Sequence, residues 1–408
     1  MGDELYSRLE EGLDSQQSPV SIRLNPFKTQ SLDVTANLCD SAVQWCSATG
    51  RYLNERPNFT FDPLLHSGVY YVQEAASMFV DHIVRTFIKE PVRMLDLCAA
   101  PGGKSTALRA ALPDGSLLFS NEPMRTRAQI LSENLQKFGH EDVIVTNNYP
   151  RDYRKAGIMF DAILADVPCS GEGMFRKDDG ARAEWSLQNV DNCWQLQREI
   201  VSDIWKCLQP GGLLIYSTCT FNAHEDEENV EWIASELGAD IIEVPVEESW
   251  NITPAVVGNA PVCRFMPGIS RSEGLFVAVL RKHGESETTA LNASAANSKP
   301  KKDRKNQRKQ TAQGGKQQAP DTMQALCSPD NFVARRNSDT IIAIPKRWAD
   351  TYDTAASTLK IMHAGVTLGT EKGRDIIPDQ SLALSRQLNI DAYPHVELDY
   401  AAAINFLR

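Results

Sequence analysis

Two cysteines stand where strands should end. Phe160-Asp161-Ala162-Ile163-Leu164-Ala165-Asp166-Val167-Pro168-Cys169-Ser170-Gly171 reads as an apolar strand broken at Pro168 into a glycine-containing loop. Residues 213–217 read as a second strand running into Thr218-Cys219-Thr220. If the two strands are neighbours, about 4.8 Å apart, both sulfurs reach one pocket. Two thiols facing one cleft suggest covalent chemistry. Carbon 5 of a cytosine is too weak a nucleophile to take a methyl group directly. A thiolate added to carbon 6 makes the ring an enamine whose carbon 5 can attack a sulfonium methyl. A free thiol is only a few per cent ionised near neutrality, so the site must lower that pKa or remove the proton as the bond forms. After transfer the carbon 5 proton must leave before the thiol can, which asks for a second group. Asp166 is placed to hydrogen-bond the base or a cofactor amine. Spacing alone does not choose the nucleophile between Cys169 and Cys219.

A third stretch, Arg93-Met-Leu-Asp-Leu-Cys-Ala-Ala-Pro-Gly-Gly-Lys-Ser-Thr106, holds a Gly-Lys-Ser run after an apolar strand. A triphosphate-binding loop would need its first glycine at position 98, which is Cys98, and the Gly-x-Gly-x-x-Gly fingerprint is absent, which disfavours an ATPase. The small residues Ala99 and Ala100, followed by Pro101, Gly102 and Gly103, still allow close backbone approach at a helix start. A smaller ligand with a carboxylate or a ribose fits better. Glu122, just past the next strand, can accept both hydrogen bonds of a ribose diol, or it can simply favour the start of the following helix. S-adenosylmethionine offers such a ribose together with an adenine and a methionine end.

The elements that must position these residues are legible from about Tyr70. Ala75, Ala76, Phe79, Val80, Ile83, Val84 and Phe87 repeat at helical spacing, and a second helix runs from Met124 to a stop at Gly139. Short apolar strands are expected at 92–98, 116–120, 143–146, 160–165 and 213–217, with 241–244 and 275–280 closing the sheet. Strands apolar all through and separated by helices mean a sheet covered on both faces, a doubly wound α/β fold whose ligand sits at the strands' carboxyl ends. Cys193 and Cys207, read inside a helix over 185–208, and Cys39, Cys46, Cys263 and Cys327 are read as inert small hydrophobes. Asn222 with Glu225 reads as a helix capping box, and the acids around it as structural.

The chain has 408 residues, 42% of them apolar, and a net charge of -11. That charge argues against coating nucleic acid over the whole surface. Residues 298–318 carry eight Lys/Arg and one Asp, a local +7 that leaves -18 elsewhere. They contain no Val, Ile, Leu, Phe, Tyr or Trp, so a disordered basic linker is expected over 284–325, able to meet RNA phosphates. Nine scattered cysteines suggest neither a disulfide framework nor a metal site. No membrane segment is read, and a cytoplasmic location is the expectation.

With these residues in place a resemblance is close. Cys98-Ala-Ala-Pro-Gly-Gly-Lys104, Asp166-Val-Pro-Cys-Ser-Gly-Glu-Gly-Met174 with Arg176-Lys177-Asp178, and Ser217-Thr-Cys-Thr220 resemble the signature segments of RNA cytosine-5 methyltransferases of the Nol/Nop/Sun group. The loop from Glu172 to Asp178 is similar to that of the RsmF-type bacterial enzymes of small-subunit ribosomal RNA. With Val20 to Pro26 and Tyr70 to Glu74 the likeness spans most of residues 20–283. It implies a Rossmann-like methyltransferase domain at 71–283, a small α+β RNA-binding domain at 1–70, and a PUA-like RNA-binding domain at 326–408, which stops without a helix stop signal and so reads as incomplete. The implied cofactor is S-adenosylmethionine, held by Cys98, Ala99, Ala100, Pro101, Gly102, Gly103, Lys104, Glu122 and Asp166. Cys219 would be the nucleophile and Cys169 would assist release, forming 5-methylcytosine in ribosomal RNA by a monomer without metal. Arg176 and Lys177 would help unstack the base. Where relatives carry an acidic residue near the adenine, this chain has Asn147-Asn148, with Asn148 a weak substitute. A transfer RNA enzyme, or a non-catalytic assembly factor on the same fold, is the competing reading.

Overall fold

The computed structural model describes residues 1–15, 17–28, 39–284, 321–373 and 375–407. The basic run 298–318, and with it most of the linker read over 284–325, lies outside the described residues. Three sheets organise the rest. After the helix Asp3–Asp14, the strands Ser21–Leu24 (β1), Cys39–Ala42 (β2), Gly50–Leu53 (β3) and Tyr70–Val72 (β4) form an antiparallel sheet in the order β2-β3-β1-β4. The last of these straddles the 70/71 boundary read from sequence.

The central sheet begins with Arg93–Asp96 (β5), Leu117–Asn121 (β6), Val143–Thr146 (β7), Phe160–Asp166 (β8) and Leu208–Thr218 (β9). These five run parallel in the order β7-β6-β5-β8-β9, and Ala239–Ile242 (β10), Cys263–Phe265 (β11) and Leu275–Lys282 (β12) extend the β9 side antiparallel. Successive residues of the inner strands enter opposite cores. Leu95, Phe119, Ile163 and Leu214 pack on one face, while Met94, Leu118, Leu164 and Ile215 pack on the other. Both faces are covered, which is why these strands are apolar without alternation. The helix Phe79–Phe87 supplies Phe79, Val80, Ile83 and Val84 to the second core, all 0% exposed. This is the doubly wound sheet that the pattern predicts.

Several boundaries differ for local reasons. The strand expected over 92–98 ends at Asp96, because the chain turns there into the loop that follows. The helix expected over 185–208 is Leu187–Trp205, started by the Ser186 hydroxyl, which accepts from the Asn189 N–H at 3.1 Å. Cys207 therefore lies beyond the helix, buried before β9. Strand 241–244 forms two residues earlier, at Ala239–Ile242.

The carboxyl-terminal stretch adds Phe332–Asn337 (β13), Thr340–Pro345 (β14), Ile361–Ala364 (β15), Val366–Lys372 (β16) and Asp375–Pro378 (β17). Four of them make an antiparallel sheet, β13-β14-β16-β17. β15 pairs antiparallel with β7 instead and covers what would be an open edge of the central sheet. Beside that edge Arg386 grips Glu141 with two bonds of 2.8 Å, and Arg347 pairs with Asp142. Among the described residues no helix is long and apolar enough to cross a membrane.

Candidate functional site

The chain order reverses beside β5, so the loops after β5 and β8 border one crevice at the strands' carboxyl ends. The loop after β5 is fixed by its neighbours. The Ala99 N–H donates to the Asn121 carbonyl at 2.8 Å, Arg127 donates to the Ala100 carbonyl at 3.0 Å, and Asn134 donates to the Pro101 carbonyl at 2.8 Å. Gly102, at φ +115°, turns the chain into the helix Gly103–Ala111, a backbone conformation that other residues adopt only under strain. Lys104, in that helix's first turn, meets Asp166 Oδ2 at 2.9 Å, and Ser217 Oγ donates to Asp166 Oδ1 at 2.7 Å. One carboxylate thus joins the loop after β5 to the end of β9.

Glu122 is 1% exposed. Its Oε1 accepts the Met124 N–H at 2.9 Å, which serves the start of the helix Arg125–Phe138, and its Oε2 lies 3.4 Å from Arg127. Asn148 offers its side-chain oxygen to the Lys360 N–H at 3.0 Å, and Asn147 accepts from Lys360 Nζ at 2.7 Å, so the carboxyl-terminal stretch lies against this position. Sequence reasoning missed Asp96. Fully buried at the end of β5, it accepts from Ser105 Oγ at 2.6 Å, while its Oδ1 has no hydrogen-bond partner. Burial pushes its carboxyl up to about 7, against the pull of Ser105 and Lys104 and with the push of Asp166 and Glu122. Burial also raises the Cys98 thiol, helped by Asp166, Asp96 and Glu122.

The two thiols named from sequence do meet. Asp166 is paired in register with Ser217, and a few residues further on Cys169 Sγ lies 3.2 Å from Cys219 Sγ. The Cys219 N–H points at Cys169 Sγ, 3.3 Å away. Both residues are half-buried, so the pair is reachable from the crevice. Cys219 is held below the ordinary thiol value, first by the hydrogen bond from Cys169 and also by Lys104, against burial and Asp166. Cys169 is pushed up by the same bond and by burial. The two thiols are thus shifted in opposite directions, Cys219 toward the thiolate and Cys169 toward the thiol.

What holds this pair was only partly legible. The Glu225 N–H donates to Asn222 Oδ1 at 2.9 Å, half of the capping pattern, but Glu225 Oε1 accepts the Asn222 side-chain amide at 2.9 Å, and the helix Glu227–Leu237 starts later, with Asp226 at its cap. The buried Glu225 carboxylate instead accepts the Ser170 N–H at 3.1 Å and Gln197 Nε2 at 2.6 Å, which fixes the backbone next to Cys169. Glu172 accepts the Phe221 N–H at 2.9 Å and does the same on the Cys219 side. Arg176 is not free to meet RNA. It is buried against Glu273, donating at 3.0 Å, and against the Gly12 carbonyl at 3.1 Å, because three acceptors converge on it from segments distant in sequence. Lys177 lies 3.5 Å from the same carboxylate.

Gly173 is wedged between strands. A Cβ there would lie 2.7 Å from the Cys219 carbonyl and 3.0 Å from Gly274 Cα, and the Gly173 N–H donates to that same carbonyl at 2.7 Å. Gly173→Ala must therefore displace the Cys219 backbone or the facing Gly274, and either shift disturbs the seat of Cys219. The expected result is a loss of about 1–3 kcal/mol of stability from overpacking, together with slower alkylation of Cys219 by iodoacetamide. Unchanged unfolding and alkylation would show that the wedge does not set the cysteine's position.

Residues 88–281 match the family model described as 16S rRNA methyltransferase RsmB/F, and residues 1–75 match the N-terminal domain of 16S rRNA methyltransferase RsmF. Relatives named ribosomal RNA small subunit methyltransferase F include one from Serratia proteamaculans, 36% identical over 274 residues, which are 64% of this chain and 57% of that one. Another, from Salmonella agona, is 33% identical over 287 residues, 67% of this chain and 59% of that one. The chain thus spans less than two thirds of the length of these relatives. Among solved structures, NSun6 from Pyrococcus horikoshii with SFG superposes with a TM-score of 0.60 at 19% identity, covering 70% of this chain and 96% of that one. A methyltransferase homolog protein from the same organism gives a TM-score of 0.58 at 24% identity, covering 67% of this chain and 90% of that one. These two likenesses show the fold. By the family matches, residues 88–281 belong to the 16S rRNA methyltransferase RsmB/F family and residues 1–75 to the RsmF amino-terminal domain family.

Proposed function

We propose that this chain transfers a methyl group from S-adenosylmethionine to carbon 5 of a cytosine in small-subunit ribosomal RNA, with Cys219 as the covalent nucleophile. The observation that carries the reading is the Cys169–Cys219 pair, 3.2 Å apart at the ends of adjacent parallel strands, with Cys219 favoured as the thiolate. The crevice beside it suits a cationic cofactor. Asp166 and Glu122 are balanced by Lys104 and Arg127, which leaves Asp96, whose Oδ1 is buried without a partner, to meet a positive charge. The loop from Cys98 to Lys104, with Glu122 and Asp166, would hold it, and when bound it supplies an electrophilic sulfonium methyl. The relatives' names support ribosomal RNA as the substrate, and the amino- and carboxyl-terminal sheets, with the basic run at 298–318, are assigned to holding it.

The cysteines divide the work. The Cys219 thiolate adds to carbon 6 of the unstacked cytosine, forming a carbon–sulfur bond, and the proton on Cys169 passes to the ring as charge develops there. Carbon 5, now nucleophilic, would take the methyl group that a cofactor held by the loop from Cys98 to Lys104, Glu122 and Asp166 supplies, the old carbon–sulfur bond breaking with its electron pair left on sulfur. Cys169, left as a thiolate, removes the carbon 5 proton. The ring electrons then expel Cys219 as a thiolate, the ring proton is lost to solvent, and both cysteines return to their starting states.

The direct test offers tritiated S-adenosylmethionine to deproteinised 16S rRNA, assembled small subunits and transfer RNA, followed by digestion and chromatography of the nucleosides. Label in 5-methylcytidine from ribosomal RNA is expected. Label from transfer RNA alone would move the substrate, and label in any other nucleoside would overturn the chemistry.

The opposite shifts also set a pH dependence. Because Cys169 lowers the Cys219 pKa, alkylation of Cys219 should begin to rise at a lower pH than for an ordinary thiol. Removing the donor in Cys169→Ala takes away the largest lowering cause, so the rise should move to higher pH. Iodoacetamide rates from pH 5 to 10, read at Cys219 by mass spectrometry, check this without turnover. A curve unmoved by the substitution would contradict that lowering.

A further inference from the structure

A cavity of about 260 Å³ opens between the amino-terminal sheet and the central domain, and neither Cys169, Cys219 nor the loop from Cys98 to Lys104 lines it. Its walls come from β1, β4, the short helix Pro63–His66 and the helices that carry Thr106 and Asn134. Leu65, Val72 and Phe138 make it largely apolar, and it also contains Tyr71, Arg23 and Lys137. Among the described residues no carboxylate lines it. Arg23 is 1% exposed, yet its partners are neutral: Gln73 Oε1 at 2.8 Å, Thr106 Oγ1 at 2.5 Å and the Gly103 carbonyl at 3.5 Å. Its Nη1 has no hydrogen-bond partner among the described residues, and burial lowers its pKa.

Asp81 acts on Arg23 through space without a hydrogen bond to it, and a buried guanidinium that no carboxylate contacts is costly unless a negative charge comes to it. In a chain of net charge -11, a pocket lined among the described residues by two cations and no acid is selective for an anion. Its aromatic and aliphatic walls ask that the anion also carry a flat apolar part. We infer that this cavity receives one unstacked nucleotide of the RNA substrate, outside the target base, its base against the apolar wall and its phosphate in the field of Arg23 and Lys137. Single-stranded RNA is recognised in this way, through stacking and phosphate contacts together. The inference rests on RNA being the substrate. The cavity also touches the cofactor loop's helix through Thr106, and Tyr71 Cε1 lies 3.2 Å from where a Cβ of Gly103 would be, so a nucleotide here would brace that helix.

The test uses the whole chain and 16S rRNA carrying 4-thiouridine. Illumination should cross-link RNA to Tyr71 or Phe138, located by mass spectrometry. Because Arg23 also ties the two parts together, the variants are Lys137→Gln, which removes a charge, and Leu65→Trp, which fills the cavity and leaves the charge alone. Each should weaken RNA binding about tenfold and abolish the cross-link, with cofactor affinity by calorimetry unchanged. Loss with Lys137→Gln but full binding with Leu65→Trp would reduce the site to general charge attraction and overturn the inference, as would RNA cross-linked only elsewhere. Because binding and cross-linking are read without methyl transfer, an inactive wild-type protein that still cross-links here would count against the proposed reaction and not against this site.

Discussion

Cys219→Ala should lower methyl transfer at least about 10⁴-fold, since removing a covalent nucleophile leaves only the contribution of binding and orientation. Cofactor affinity should stay within about twofold, because the loop from Cys98 to Lys104 is held by Arg127, Asn134 and Asp166 and not by the sulfur at 219. Calorimetry and a tritium-transfer assay on the same preparation separate the two. Retained turnover would remove the covalent mechanism. A joint loss of turnover and cofactor binding would mean that the substitution had disturbed the crevice, for example through the Gly173 N–H that rests on the Cys219 carbonyl.

The second large effect is of the opposite kind. Cys169→Ala should leave the first bond able to form but should block release, so RNA accumulates on the protein as a methylated adduct resistant to denaturing gels. Steady turnover should fall about 10²- to 10⁴-fold, the usual range for a positioned acid or base. The distances set the expectation. With Cys169 Sγ only 3.2 Å from Cys219 Sγ, a base at 169 would reach the ring that Cys219 is proposed to attack. Absence of any adduct in this variant, with normal release, would assign the proton to another group. The adjacent buried carboxylate, Glu225, already accepts Ser170 and Gln197, which leaves Cys169 the better placed.

How far the sequence led follows from the range of the forces involved. The strands that lead to the two thiols were legible because a doubly covered strand is apolar throughout and ends abruptly, at Asp166 just before Pro168 in one case and at Thr218 in the other. The turn at Gly102 was legible as a run of small residues before a helix. The couplings that position the chemistry were not. Lys104 and Asp166 lie 62 residues apart, Ser170 and Glu225 lie 55 apart, and Arg176 and Gly12 lie 164 apart, distances across which local pattern carries no signal. Reading Arg176 as an RNA contact failed for that reason, since nothing near it in sequence reveals Glu273. Likewise β15, only four residues long, gives no local hint that it will leave its own sheet to pair with β7. Asp96 was passed over because an acid within an apolar strand looks like a strand end, and its significance lies in burial beside two other carboxylates.

Among possible experiments, one reaches the central claim without a substitution. Ribosomal RNA transcribed with 5-fluorocytidine has no proton to surrender at carbon 5, so an enzyme that attacks carbon 6 and methylates carbon 5 must stop with the RNA attached. After digestion, mass spectrometry of the wild-type protein should find the methylated fluorocytidine on the peptide containing Cys219, and only when S-adenosylmethionine is present. A nucleotide attached at Cys169 instead, or full methyl transfer with no attachment at all, would contradict the account.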